Sequence, residues 1–128
     1  MNKRAIYIAH PLGNGPDREE NRARAARWVG WFARAFDIAP IADWIVLSGV
    51  WGEEHRVLGM DIDRELVARS DELWLCGGKI TDGMHDEALW ADTWGKPIVD
   101  FTDLGPEPPS RLYRPLGRSY MGRPMSAL

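Results

Sequence analysis

The amino-acid sequence predicts a single α/β domain: an open parallel sheet of four to five strands covered by helices on both faces. Two observations carry this expectation. Short runs rich in β-branched and aromatic residues alternate along the chain with longer segments of helical period. The clearest of those runs, AIYIA (5–9) and ELWLC (72–76), is each apolar almost throughout, as a strand buried on both faces must be.

Taken in order, residues 5–9 form the first strand, closed by His10 and Pro11 and followed by the Gly/Pro-rich turn PLGNGPD. Residues 17–36 carry a helical pattern. Asp17 stands at the N-cap with Glu20 three residues on, and Ala26, Val29, Ala33 and Phe36 mark the inward face. Residues 38–43 are a short second strand, and the apolar segment 44–52 reads as a loop or as a helical turn. A second helix covers 54–69 with Leu58, Ile62, Leu66 and Val67 inward, and 71–78 is the third strand. A third helix, about 84–94, ends at Gly95 and Pro97, and PIVDF (97–101) is a fourth strand.

The domain spans 1–104. Beyond it, residues 105–128 hold five prolines and four arginines without amphipathic period, an extended tail expected to be tied down on its own domain or, by preference, on a neighbouring subunit.

At 128 residues the chain supports one core. Its net charge of −3 lacks the basic excess of binders of polymeric nucleic acid, so the expected partner is a small molecule. The N-terminal apolar run is too short for a signal or a membrane span, and the single Cys76 reads as a buried core thiol, so the expected compartment is cytoplasmic, with no membrane partner. His10, His55 and His85 lack ligand spacing and no cysteine cluster accompanies them, so no metal and no cofactor is expected. Trp28, Trp31, Trp74, Trp90 and Trp94 suit packing. Trp44 and Trp51 flank a loop near the expected cleft, where either suits packing or stacking on a base.

In an open parallel sheet, ligands bind at the carboxyl ends of the strands beside the point where strand order reverses. This brings HPLGNG and GGKITDGMHDE to one edge. GNGPDR (13–18) is half of a dinucleotide fingerprint with Arg18 in place of the third glycine, which excludes a nicotinamide dinucleotide site. The turn Gly13, Asn14, Gly15 with Arg18 suits either a phosphate or a plain turn. Glu87 reads either as a first-turn acid or as a carboxylate of the ligand edge, and Asp63 either as a solvated helix acid or as its partner. Two carboxylates in one cleft are the usual apparatus for breaking a glycosidic bond.

Taken together, AIYIAHPLG, DIDRELVARSDELWLCGG and TDGMHDEALWADTWGKPI resemble the nucleoside 2-deoxyribosyltransferase-like superfamily, with the nearest look to small phage and bacterial proteins of the class DUF4406. The similarity spans about residues 5–101. The resemblance implies a flavodoxin/Rossmann-like fold and an N-glycosidase or deoxyribosyltransferase activity. By the family's Gly-x-x-x-Glu spacing, Gly83 to Glu87, it makes Glu87 the nucleophile. Asp63, eight residues before Asp71, would hold the sugar or assist the leaving base, and Tyr7 would orient Glu87.

Thr81, six residues before Glu87, stands where the monophosphate hydrolases of the group carry a phosphate-contacting serine, which slightly favours a nucleoside 5′-monophosphate. Asp82, beside it, would favour a nucleoside after a one-residue shift. His10, Gly13, Asn14, Gly15, Arg18, Trp44, Thr81, Asp82, Gly83 and His85 are the expected substrate contacts. The chain departs from the family at His10, at His85 and Asp86, and at Leu89, which replaces a glycine and would narrow the cleft. Asp86 would raise the pKa of Glu87 by like-charge repulsion. The resemblance also implies at least a homodimer, with Arg111 and Ser119 of the tail reaching a neighbouring site. The alternative function is a non-catalytic nucleotide-binding protein that senses or sequesters its ligand.

Overall fold

A buried parallel strand sends successive side chains to opposite faces, so each central strand of this sheet supplies two cores. The structure, a computed structural model, describes residues 2–121. Its elements are β1 (Arg4–Ala9), α1 (Arg18–Ala35), β2 (Ile38–Ile41), α2 (Asp43–Val50), α3 (Arg56–Arg69), β3 (Glu72–Leu75), α4 (Asp82–Thr93), β4 (Ile98–Asp100) and β5 (Arg118–Ser119). Short 3-10 turns lie at Glu53–His55 and Thr102–Leu104. The sheet order is β2-β1-β3-β4-β5, with the first four strands parallel and β5 antiparallel to β4. Strand order reverses between β1 and β3, and the loops that leave these two strands flank that point.

On one face, Ile6, Ile8, Trp74, Cys76 and Val99 pack with Trp28, Trp31 and Phe32 of α1 and with Phe36 and Phe101. Edge-to-face contacts join these rings, for example Phe36 to Trp74 at 4.9 Å between centroids. On the other face, Tyr7, Ala9, Leu73, Leu75 and Ile98 meet Trp44 of α2, Val67 of α3 and Met84, Ala88 and Ala91 of α4. Two strand carboxylates are buried: Glu72 pairs with Arg4 and accepts from Trp74 Nε1 at 2.9 Å, and Asp100 pairs with Arg118.

Several sequence expectations are corrected. In α1 the inward face is Ala25, Trp28, Trp31, Phe32 and Ala35, whereas Ala26 and Ala33 are exposed. The large rings decide the helix's rotation, because burying two indoles removes far more apolar surface than burying two methyl groups. Asp17 takes the N-cap position without a side-chain cap bond. The segment after β2 is a true helix, α2. Only Val67 of the expected α3 face is buried, and Leu58 is 48% exposed, because α3 overhangs the cleft rather than the sheet.

Of the two places expected for the tail, residues 105–121 take the first and run back over their own domain. Trp28 Nε1 donates to Pro106 O at 2.8 Å, Trp31 Nε1 to Arg111 O at 3.2 Å, and Arg114 Nε to Ala35 O at 3.0 Å. Indole N–H groups at the rim of an apolar core need acceptors, and the tail's carbonyls supply them. Ser119 then pairs with Val99 in the sheet, and Arg111 lies over the Tyr113 ring. Residues 122–128 lie outside the described residues. Among the described residues no helix is long and apolar enough to cross a membrane.

Gly117 is buried where the tail crosses the sheet, and a methyl group there would strike the Val99 and Phe101 side chains. Gly117→Ala is expected to cost about 1–3 kcal/mol in urea unfolding with an unchanged m-value. A wild-type midpoint would show that the tail is not packed this way.

Candidate functional site

Tyr7 is placed by strand alternation. Its neighbours Ile6 and Ile8 go to the α1 face, so Tyr7 goes to the other, where it is fully buried and its hydroxyl needs a partner. It donates to Glu87 Oε2 at 2.9 Å. Glu87 is brought there by α4, whose residues Met84, Ala88 and Ala91 face the sheet. Glu87 shares that side, three residues after Met84 and four before Ala91. The small Ala88 and Ala91 let the helix lie close. Thr81 starts the helix, its Oγ1 accepting from Met84 N at 3.3 Å.

Two further carboxyl groups complete the cluster. Asp63 comes from α3 and Asp43 is the first residue of α2, and the negative charges of both act on Tyr7. Both oxygens of Asp43 and Oδ1 of Asp63 are buried with no donor on them. Burial pushes Glu87 up to about 8, opposed by the Tyr7 hydrogen bond and aided by the negative charges of Asp43 and then Asp86. Burial, then the charge of Asp43, likewise holds Asp63 well above the usual carboxylate range. Tyr7 is raised by burial and by Glu87, Asp63 and Asp43.

These groups sit beneath a cleft of about 580 Å³ at the carboxyl ends of β1 and β3. Its lining includes the expected contacts His10, Gly13, Asn14, Arg18, Trp44, Thr81, Asp82 and Gly83, together with Asp63 and Glu87. Tyr7 lies behind the wall rather than in it. His10 is buried, its Nδ1 bonds Pro11 O at 2.7 Å, and burial pushes the imidazole down to about 4, so it is neutral at pH 7. Gly77 (φ +101°) permits this, since a Cβ there would strike His10 and Pro11. Arg18 spans the cleft's edge, donating to Gly13 O at 2.9 Å and Ser48 O at 3.4 Å. Trp44 is a wall rather than a free platform, because it is buried and its Nε1 donates to Ile8 O at 3.0 Å.

Two expected contacts are not brought to the cleft. Gly15 sits in the turn, its carbonyl accepting from Arg18 N. His85 points away from the sheet side of α4 and meets the Tyr120 hydroxyl of the tail at 2.9 Å. Leu89 also faces outward, 42% exposed and outside the lining, so it does not narrow the cleft. Trp51, expected near the cleft, lines its outer wall stacked on His55, with centroids 5.2 Å apart, and the structure adds His55 to the lining and buried Asp43 to the acids acting on Glu87. An acid at the carboxyl end of the expected second strand is the signal that marks Asp43. Among the described residues no group of three or more His, Cys, Asp or Glu side chains is disposed to hold a metal ion.

Raised carboxyl pKa values carry a stability cost of known sign. The native state holds these protons more tightly than the unfolded chain, so their contribution is full below about pH 4 and is lost as pH rises toward 8. Glu87→Gln and Asp63→Asn are therefore expected to stabilise the protein, by on the order of 2 kcal/mol at pH 8 and by little at pH 4, in paired thermal melts. Destabilisation at pH 8 would contradict the placement.

A protein-family profile described as Domain of unknown function (DUF7768) matches residues 4–101, a span that runs from β1 through β4 and contains every residue of the carboxyl cluster. No curated protein matches the chain. The chain belongs to the DUF7768 family.

Proposed function

We propose that this flavodoxin-like domain binds a nucleoside or, with slight preference, a nucleoside 5′-monophosphate, and cleaves or exchanges its N-glycosidic bond. The observation that carries the reading is the 2.9 Å hydrogen bond from buried Tyr7 to Glu87, with Asp63 beside them at a cleft. These are the three residues that the resemblance to the nucleoside 2-deoxyribosyltransferase-like superfamily assigns to the reaction. A cleft of about 580 Å³ lies within the range of small-molecule sites, and the Trp51 and His55 rings offer an aromatic wall to a base. Arg18, Asn14 and the Thr81 hydroxyl are the donors nearest to hand for a phosphate.

In this mechanism ionised Glu87 attacks C1′, the electron pair of the C1′–N bond goes to the base, and Asp63 gives that base its proton. Water, or a second base, then opens the glycosyl ester and returns Glu87 to its carboxylate. Tyr7 holds the attacking group in place and stabilises its charge when it leaves.

One observation favours the alternative, a protein that binds and does not turn over. With Glu87 pushed up to about 8, most of it is protonated at pH 7 and unable to attack. The two readings separate by pH. If Glu87 is the nucleophile, base release from a panel of ribo- and deoxynucleosides and their 5′-monophosphates rises steeply up to about pH 8. Glu87→Ala should lower it at least a thousand-fold while leaving ligand-induced thermal stabilisation in place. Thermal stabilisation without base release at any pH assigns the cleft to binding, and release undiminished in Glu87→Ala sinks the assignment of the nucleophile.

The same reading carries at least a homodimer, supported by Val46, Val50 and Val57, which are 66%, 72% and 74% exposed on α2 and α3. A monomer by light scattering would remove it.

A further inference from the structure

We infer that Gly59 is a specificity-determining residue of the cleft, and that the bare helical turn it leaves on α3 is the seat of a purine ring. The inference rests on the proposed reading of the cleft as a nucleoside or nucleotide site, and it names the class of base.

Glycine is the poorest helix former after proline, and a helix usually keeps one where the backbone or a close neighbour requires it. Neither requirement holds at Gly59. It lies within α3, its φ is outside the left-handed region, and a Cβ built on it would meet no atom of the described residues within 4 Å. Gly49 of α2 is different, because a methyl group there would strike the Arg22 guanidinium. Gly30 of α1 also has open space around it, but it is exposed and lies outside the cleft, whereas Gly59 is half-buried in the cleft's lining. The room at Gly59 is therefore room inside the site.

The helical period fixes what surrounds that room. His55 at the N-cap of α3, Gly59 and Asp63 stand four residues apart, so they follow one another along one face of the helix, and all three line the cleft. Side chains on a helix lean toward its N-terminus, so a side chain at Gly59 would cover the patch next to His55, while Asp63 leans back toward Gly59 from the following turn. At one end of the bare patch is the Trp51 and His55 stack, with centroids 5.2 Å apart. At the other is Asp63, whose Oδ1 is buried with no donor on it among the described residues.

A ligand group that suits this patch is flat, apolar on its faces and polar at its edge. A flat group can lie on the helix backbone that glycine uncovers, and its faces match the neighbouring aromatic rings. Its edge reaches the Asp63 oxygen that lacks a partner. A nucleobase has all three properties. From His55 to Asp63 the face runs roughly 12 Å at the α-helical rise, a length that a two-ring purine uses and a one-ring pyrimidine leaves partly empty.

The other helix of the cleft repeats the device. Gly83 stands four residues before Glu87 and lines the cleft, and the nearest atom to a Cβ there is Thr81 Oγ1 at 3.9 Å. Each carboxyl group of the proposed reaction thus follows an uncovered helical turn, that of α4 on the side of the sugar and that of α3 on the side of the base.

Gly59→Leu fills the patch, and Gly30→Leu makes the same change on a helix away from the cleft. Both are expected to raise the thermal midpoint by about 3 °C, because leucine is the better helix former and nothing occupies either space. Titration calorimetry in a Glu87→Gln background, where turnover does not consume the ligand, then uses the 5′-monophosphates of deoxyadenosine, deoxyguanosine, deoxycytidine and thymidine, and 2-deoxyribose 5-phosphate. Gly59→Leu is expected to weaken the two purine nucleotides about ten-fold or more, to change the pyrimidine nucleotides by less than about three-fold, and to leave the sugar phosphate as it was. Gly30→Leu is expected to alter none of them.

Purine binding that Gly59→Leu leaves in place, an equal loss for all five compounds, or a preference for pyrimidines with Gly59 present overturns the inference. The glycosidic reading survives any of these if the wild type releases base. If the purine-selective loss appears but the wild type releases no base at any pH, the purine seat stands and the glycosidic reading alone falls. Binding of none of the five overturns both.

Discussion

A tyrosine hydroxyl with no access to water is the constraint on which the site depends. Tyr7 is the central polar group of an otherwise apolar sheet face, and its side chain must go there because Ile6 and Ile8 are committed to the aromatic core on the other side. The hydroxyl needs an acceptor, and the acceptor is Glu87. Glu87 can reach it only because α4 presents alanines to the sheet, and α4 starts where it does because Thr81 caps it. Strand register, helix face and helix cap thus converge on one hydrogen bond.

The two faces of the sheet divide the work. The α1 face is filled with large rings and sealed by the tail, whose carbonyls take up the indole N–H groups of Trp28 and Trp31. It is the structural half. The opposite face carries three carboxyl groups around one hydroxyl, an arrangement that burial makes costly and that a fold under selection for stability alone would replace with apolar side chains. Such local cost, offset by a well-packed remainder, is characteristic of sites kept for chemistry.

The parallel order of strands was legible in the sequence because continuous apolar runs such as AIYIA have few other uses in a chain of this composition. The edge of the sheet that carries the cleft followed from topology alone. Helix rotation was less legible. In α1 the methyl-sized Ala26 and Ala33 fit the helical period as well as the rings do, and only the bulk of Trp28, Trp31 and Phe32 decides which face goes in. The tail was less legible, since its proline-rich composition resembles disorder, while two of its anchors are the Pro106 and Arg111 backbone carbonyls, which no side-chain pattern records, beside the Glu107 and Arg114 side chains. At the site, Tyr7, Asp63 and Glu87 are brought together, but Asp43 reads in the sequence as the polar end of a strand. His85 was displaced from the expected contacts by a single helical step, since neighbouring residues on a helix point about 100° apart.

The central claim of the proposed chemistry is a bond between Glu87 and a sugar carbon. Its most direct test is mass spectrometry of the protein quenched in acid after mixing with 2′-deoxy-2′-fluoro nucleosides and their 5′-monophosphates, whose fluorine slows breakdown of a glycosyl ester. The account predicts an added mass equal to the fluorinated sugar, or its phosphate, on the peptide that carries Glu87. Base released with no adduct, or with the adduct on another residue, would contradict it.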